Sequence, residues 1–238
     1  MKKHMLFALF IVFFISCEKG LTSEQLLENT IANHDPNNMW KSFNTTFHVT
    51  METPDSPNRE SDITINNPES TFYLKAVRDT TTIEYKVRGE DCNISLNGNT
   101  KFTEEEAKAN NLNCDRAKMY KNYYSYLYGL PMKLKDPGTN ISETVERKSF
   151  KGKDYLVLKV TYDESVGSDN WYIYLDPETY AMEIYQFFKI DEDGNQNDES
   201  GEYILLTEEM VVNDIKMPKA RAWYYNKDDK YLGTDILN

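Results

Sequence analysis

The cysteines are the residues of this chain whose positions indicate specific covalent chemistry. Cys17 directly follows an apolar run and a small residue, in the order Phe14-Ile15-Ser16-Cys17. A thiol at the end of such a run can be joined to diacylglycerol through a thioether, and cleavage of the preceding peptide bond makes Cys17 the mature N-terminus. Each buried methylene contributes about 0.8 kcal/mol, so several acyl chains hold a protein firmly on a membrane. We expect lipid attachment at Cys17, and an ordinary secretory signal with a coincidental cysteine is the alternative.

The residues before Cys17 have the profile of a signal peptide. Lys2 and Lys3 form a basic start, and the apolar run that follows is too short to span a bilayer as a helix. This predicts a signal peptide over residues 1–16, an acylated N-terminus with a short tether over 17–21, and a single domain over 22–238. Loss of the two lysines changes the net charge from −12 to −14. That charge argues against nucleic acid and anionic lipid surfaces as partners, so the acyl group must supply the membrane attachment.

Cys92 and Cys114 form an even pair in the part of the chain that remains after cleavage. Such a pair in an exported chain is typical of one disulfide. The bond would close a loop of about twenty residues and stabilise the fold by about 3 kcal/mol. Two unpaired thiols are the alternative. A metal site is not expected, because no third and fourth ligand has suitable spacing.

Acid–base and nucleophilic chemistry has few candidates. Only His34 and His48 follow the signal peptide, and neither stands in a metal-binding or triad pattern. We interpret His34, beside Asp35 at a predicted helix end, as a capping or helix-dipole residue, and His48 as exposed on the polar face of a strand. The sequence carries no nucleophile-elbow, phosphate-loop, dinucleotide or paired-histidine zinc motif. We predict a non-enzymatic protein without catalytic residues, metal or cofactor, and a hydrolase that uses two carboxylates is an alternative.

The acidic run 191–199 has oxygen-bearing side chains at alternate positions around Gly194, in the general style of a calcium loop. Its spacing does not fit the EF-hand, in which the glycine follows the third ligand position. We interpret the run as a solvated acidic hairpin turn and assign it no metal.

Tyrosine is abundant, with 17 residues, and several tyrosines recur at helical spacing in the centre of the chain. Their rings could line a cavity with apolar faces and wet hydroxyls, or pack one helix face on a sheet. Packing is the preferred interpretation, and the two are compatible if the helix forms one wall of the cavity. The candidate pocket residues are Tyr120, Tyr123, Tyr124, Leu127, Tyr128 and Met132.

The elements that must position these residues follow from the period of the apolar side chains. A capping box at Thr22 predicts a helix that Asp35-Pro36 should stop before Asn37, and a second capping box at Thr103 opens a central helical stretch that breaks at Asn110-Asn111. Alternating runs on both sides of it, separated by turn signals such as Asn97-Gly98, predict two strand-rich halves. Short polar turns favour an antiparallel meander.

Three segments carry resemblances to known families. The Phe14-to-Cys17 segment resembles the lipobox read by lipoprotein signal peptidase, with phenylalanine where leucine is usual. The run from Tyr123 to Leu134, with Asp136-Pro137-Gly138, resembles a family of functionally uncharacterised Gram-negative lipoproteins, as does the tail with Pro218, Arg221, Trp223-Tyr224 and Gly233-Thr234-Asp235. The order of elements resembles the LolA and LolB lipoprotein carriers. That resemblance implies a half-barrel with a hydrophobic cavity for acyl chains, although fold alone does not fix function.

Together these observations predict an α+β fold, in which a curved antiparallel half-barrel sheet carries an N-terminal helix and central helices on its concave face. The predicted protein is anchored in the cell envelope, at the outer membrane, with its domain in the periplasm or at the cell surface. It binds a hydrophobic small molecule or lipid. The alternatives are a scaffold lipoprotein that binds an envelope protein without a ligand pocket, and a carboxylate hydrolase of envelope polymers.

Overall fold

The computed structural model describes residues 20–238, so the predicted signal peptide and Cys17 lie outside the described residues. Within this range the chain forms three α-helices: α1 (Ser23–His34), α2 (Glu104–Ala109) and α3 (Cys114–Gly129). The strands in the same range are β1 (Asn44–Thr53), β2 (Ser56–Asn66), β3 (Thr71–Arg78), β4 (Thr81–Arg88), β5 (Asp91–Leu96), β6 (Thr139–Ile141), β7 (Glu146–Phe150), β8 (Lys153–Tyr162), β9 (Asn170–Leu175), β10 (Met182–Phe188), β11 (Glu202–Val212), β12 (Ile215–Tyr225) and β13 (Tyr231–Leu237). No helix in this range is long and apolar enough to cross a membrane.

Both predicted capping boxes are present and fix where the helices begin. The Thr22 hydroxyl accepts from the backbone of Gln25 while the Gln25 side chain accepts from the backbone of Thr22, and Thr103 and Glu106 repeat the arrangement at α2. The central helical stretch breaks at Asn110 and Asn111, as the sequence predicted. Side chains thus satisfy backbone N–H groups that a helix start leaves free.

The strands form one curved antiparallel sheet, as predicted. The described strands follow the order β5-β4-β3-β2-β1-β13-β12-β11-β10-β9-β8-β6, and β7 also pairs with β8. Asn97 and Gly98 both have positive φ and turn the chain after β5, in agreement with the turn signal. Strand β13, which the alternation did not predict, joins the N-terminal meander to the C-terminal one by pairing with β1 and β12.

Each face of the sheet carries its own apolar cluster. The concave face holds the larger core, to which α1 contributes Leu26 and Leu27, and α3 contributes Tyr124 and Tyr128. A smaller tyrosine-rich cluster lies on the convex face, where Phe150 packs at the turn between β7 and β8; its buried members are Tyr155, Val157, Tyr172, Tyr174, Ile184 and Tyr203. Helix α3 therefore lies across the concave face, where the resemblance to half-barrel carriers places a helical plug.

Candidate functional site

Helix α3 is fixed at its start by a cap and by the disulfide. The Asn113 side chain accepts from the Arg116 backbone at 2.7 Å, and Cys114 is bonded to Cys92 of β5, with 5.8 Å between their Cα atoms. The structure thus contains the predicted disulfide. It ties the first turn of α3 to the edge of the sheet.

A groove of about 810 Å³ opens between α3 and the C-terminal half of the sheet. Its walls are rich in aromatic rings: Trp171 lies 5.0 Å from Phe187 and 5.3 Å from Tyr126, and Tyr123 stacks on Trp223 at 6.0 Å, all between ring centroids. A concave site of this size, with aromatic walls and a few polar groups, has the form of a small-molecule site.

The predicted pocket residues divide between this groove and the core beside it. Tyr123 and Leu127 line the groove, and Leu127 is also a buried member of the core. Tyr124, Tyr128 and Met132 are buried in the concave core, where Tyr128 packs on Phe47 of β1. The remaining member, Tyr120, is half-buried. Helix α3 therefore packs one tyrosine-rich face on the sheet and presents another to the groove.

Three carboxylates also line the groove: Asp136, Asp169 and Glu202. Burial raises the pKa of Asp169 and of Glu202, while Lys189 acts in the opposite direction on both. Glu202 stands directly opposite Phe187 in the sheet, next to the aromatic wall. No motif pointed to either residue, because nothing in the local sequence distinguishes them among the many acidic residues.

A buried polar cluster lies under α3. Arg59 donates from Nη2 to the Tyr124 hydroxyl at 2.6 Å, and the Arg221 guanidinium lies 3.9 Å above the ring centroid of Tyr128. Asp235 accepts from the Tyr123 hydroxyl at 3.4 Å, and burial raises the pKa of its carboxyl. Alternation along β12 could have signalled Arg221, since it occupies an inward position that ordinarily carries an apolar side chain. No such signal was available for Asp235, because the sequence pattern did not predict β13.

The two histidines have structural roles that differ from the sequence interpretation. His34 is buried rather than capping α1: its Nδ1–H donates to the Lys216 carbonyl and its Nε2 accepts from the Met182 N–H, both at 2.9 Å. His48 is partly exposed, and its ring nitrogens donate to Asp62 at 2.9 Å and Glu60 at 2.8 Å. The backbone pairing that brought these partners close was not visible in a local pattern.

The acidic run 191–199 forms the exposed turn between β10 and β11. The Asp191 carboxylate accepts from the backbone N–H groups of Asp193 at 3.0 Å and Asn195 at 2.7 Å. Among residues 20–238, no group of three or more His, Cys, Asp or Glu side chains is arranged to hold a metal ion.

Comparison with known proteins gives the fold a precedent. A LolA superfamily protein from Nitrosomonas europaea superposes with a TM-score of 0.53 at 10% identity, over 91% of each chain. A DUF1329 family protein from Desulfovibrio piger superposes with a TM-score of 0.49 at 8% identity, over 90% of each chain. No curated protein matches the sequence. The profile of one sequence family matches residues 2–237.

Proposed function

This chain belongs to DUF6503, a family of unknown function, and we propose that it is a lipid-anchored, non-enzymatic cell-envelope protein that binds a hydrophobic or lipid-like ligand. The aromatic groove between α3 and the concave face carries this proposal, because its volume and its apolar walls suit an acyl chain or a similar molecule. The LolA-like fold supports it by analogy.

The anchor is proposed at Cys17, with the signal peptide removed. The described domain begins its first helix at Ser23, so only a short tether separates it from the acylated residue. A tethered binder receives or senses its ligand rather than shuttling it. We place it at the outer membrane, with the domain in the periplasm or at the cell surface.

Native mass spectrometry with lipid extraction tests the binding. The domain is expressed in the periplasm with Cys17→Ala, so that only lipid held in the groove is counted. We expect a stoichiometric co-purified lipid that is lost in Ser125→Glu, which places a charge in the groove at a half-buried position of α3. Met119→Glu, at an exposed position on the same helix, is the matched control and retains the lipid. An empty protein that takes up no fluorescent fatty acid contradicts the proposal and favours the scaffold alternative.

Radiolabelled palmitate tests the anchor separately. Label should enter the wild-type chain in a Gram-negative host and should be absent from Cys17→Ala. Label that persists in the variant contradicts attachment at Cys17.

One observation favours a second candidate, a hydrolase of envelope polymers. Asp169 and Glu202 share the groove, and both have a raised pKa, as two-carboxylate chemistry requires of its acid. Polymer cleavage by the purified domain that disappears in Asp169→Asn and in Glu202→Gln would establish it. Turnover that is absent, or unchanged in both variants, rejects this assignment.

A further inference from the structure

Two opposite charges beneath the groove wall are incompletely paired. Arg221 and Asp235 stand directly opposite each other on β12 and β13, and their side chains are 0% and 1% exposed. Arg221 donates from Nη1 to the Pro218 carbonyl at 3.0 Å, but its Nε–H has no acceptor among residues 20–238. The Oδ1 atom of Asp235 likewise has no donor in the described part of the chain. Buried polar groups without a hydrogen-bond partner destabilise a protein interior. A ligand group that forms the missing hydrogen bonds therefore binds strongly.

Positive charge is in excess around this carboxylate. Arg59 and Arg221 both act on Asp235 electrostatically, so two guanidinium groups face one carboxyl. The buried hydroxyl of Tyr128, beneath Arg221, has no partner among the described residues and stays neutral because burial raises its pKa. The cluster therefore has the charge of a site for an anion.

Two groove residues also reach this cluster. Tyr123 lines the groove and donates to Asp235, and the 3.4 Å length of that bond marks it as weak. Trp223 lines the groove two residues after Arg221 on β12, and its Nε1–H has no acceptor among residues 20–238. Rotation of the Tyr123 side chain would join the apolar groove to Arg221 at the cost of one long hydrogen bond and of the ring contacts of Tyr123 with Trp223 and Tyr124.

We propose that the groove's ligand is an amphiphile with one anionic head group, a carboxylate or a phosphate ester, which Arg221 and the Trp223 N–H bind after Tyr123 turns aside. This inference rests on the proposed binding function. A guanidinium can grip such a head group with two parallel hydrogen bonds, which are strong where water is excluded.

Three twelve-carbon ligands that differ only in the head group test the inference on the Cys17→Ala protein. Dodecanoate, dodecanol and dodecylamine are titrated below their micelle concentrations by isothermal calorimetry at about pH 8, where dodecanoate is ionised. We expect dodecanoate to bind about tenfold or more tightly than dodecanol, and dodecylamine to bind most weakly. Acetate, which carries the charge without the chain, should not compete.

Variants locate the preference in the buried cluster. In Arg221→Met the preference for dodecanoate over dodecanol should fall to about onefold, and in Asp235→Asn it should rise, because a buried negative charge is removed. Arg88→Met, at a side chain that is 76% exposed, is the matched control and keeps the wild-type preference. The ligand series on the wild-type domain does not depend on how well any variant folds.

The possible outcomes distinguish failure of this inference from failure of the proposed function on which it rests. Equal affinity for dodecanoate and dodecanol contradicts the anionic head group and is still consistent with the proposed binding of a hydrophobic ligand. If acetate binds as tightly as dodecanoate, the ligand needs no acyl chain, and the claim that it is an amphiphile is wrong. Failure of all three chains to bind overturns both this inference and the proposed function.

Discussion

The bond between Cys92 and Cys114 should contribute about 3 kcal/mol to the free energy of unfolding. The two cysteines are 22 residues apart, and closing a loop of that length in the unfolded chain removes about 11 cal/mol/K of entropy. Their Cα separation of 5.8 Å is ordinary for a disulfide, so the native backbone need not shift to form the bond. For a domain of this size, about 3 kcal/mol corresponds to a fall in Tm of about 6 to 12 °C on reduction.

Thermal unfolding followed by circular dichroism, with and without a phosphine reductant, measures this effect. In the Cys17→Ala background, Cys92 and Cys114 are the only cysteines of the sequence. The double variant Cys92→Ala/Cys114→Ala should have the same Tm as the reduced protein, and reductant should not change that Tm. Two thiols that react freely in the unreduced protein, or a Tm that reduction leaves unchanged, would refute the reasoning.

Two further predictions concern single residues. Hydrogen bonds to Asp62 and then Glu60 raise the pKa of His48 above its unfolded value of about 6.5, so its stabilisation is complete below that pH and is lost as pH rises through the folded pKa. Urea unfolding at about pH 6 and about pH 8 should show a smaller pH difference in His48→Gln, and an equal difference contradicts the assignment. In Gly129→Ala the new Cβ would clash with the ring of Trp40, and overpacking of about 1–3 kcal/mol should exceed the gain in helix propensity of about 1 kcal/mol. A variant as stable as wild type in the same unfolding assay would show that the Trp40 side chain can move aside without lowering the free energy of unfolding.

Local patterns predicted the helices well, because their starts depend on residues three apart. Thr22 with Gln25 and Thr103 with Glu106 each satisfy backbone donors within one turn, and this needs no tertiary information. The antiparallel order of the strands was also predictable from alternation and short turns, whereas the curvature of the sheet was expected only from the resemblance to half-barrel carriers. Strand β13 was missed, because Gly233 and Asp235 interrupt the apolar pattern and its partners lie far away in the chain.

The candidate site was only partly predictable, for a related reason. Helical spacing identified the tyrosines of α3, but their division between groove and core depends on where the sheet curves beneath them. The aromatic wall comes from strands far along the chain, where Trp171 and Phe187 pair across β9 and β10 and Trp223 of β12 lines the same groove. Long-range pairing, rather than any local motif, creates the groove.

The position of β13 bears on how the protein reaches its folded state. This strand follows all the other described strands in the chain yet occupies the middle of the sheet, where Val49 of β1 pairs with Leu237. While the chain is being made, residues 44–96 can form hairpins early, but their meander has no strand pairing with the C-terminal one among the described residues until 231–237 are available. Pairing over so great a sequence separation is slow. Until it forms, β1 and β12 present unpaired edges that favour aggregation, so newly made chains should depend on a chaperone, and a fusion at the C-terminus should impair folding more than one at a loop.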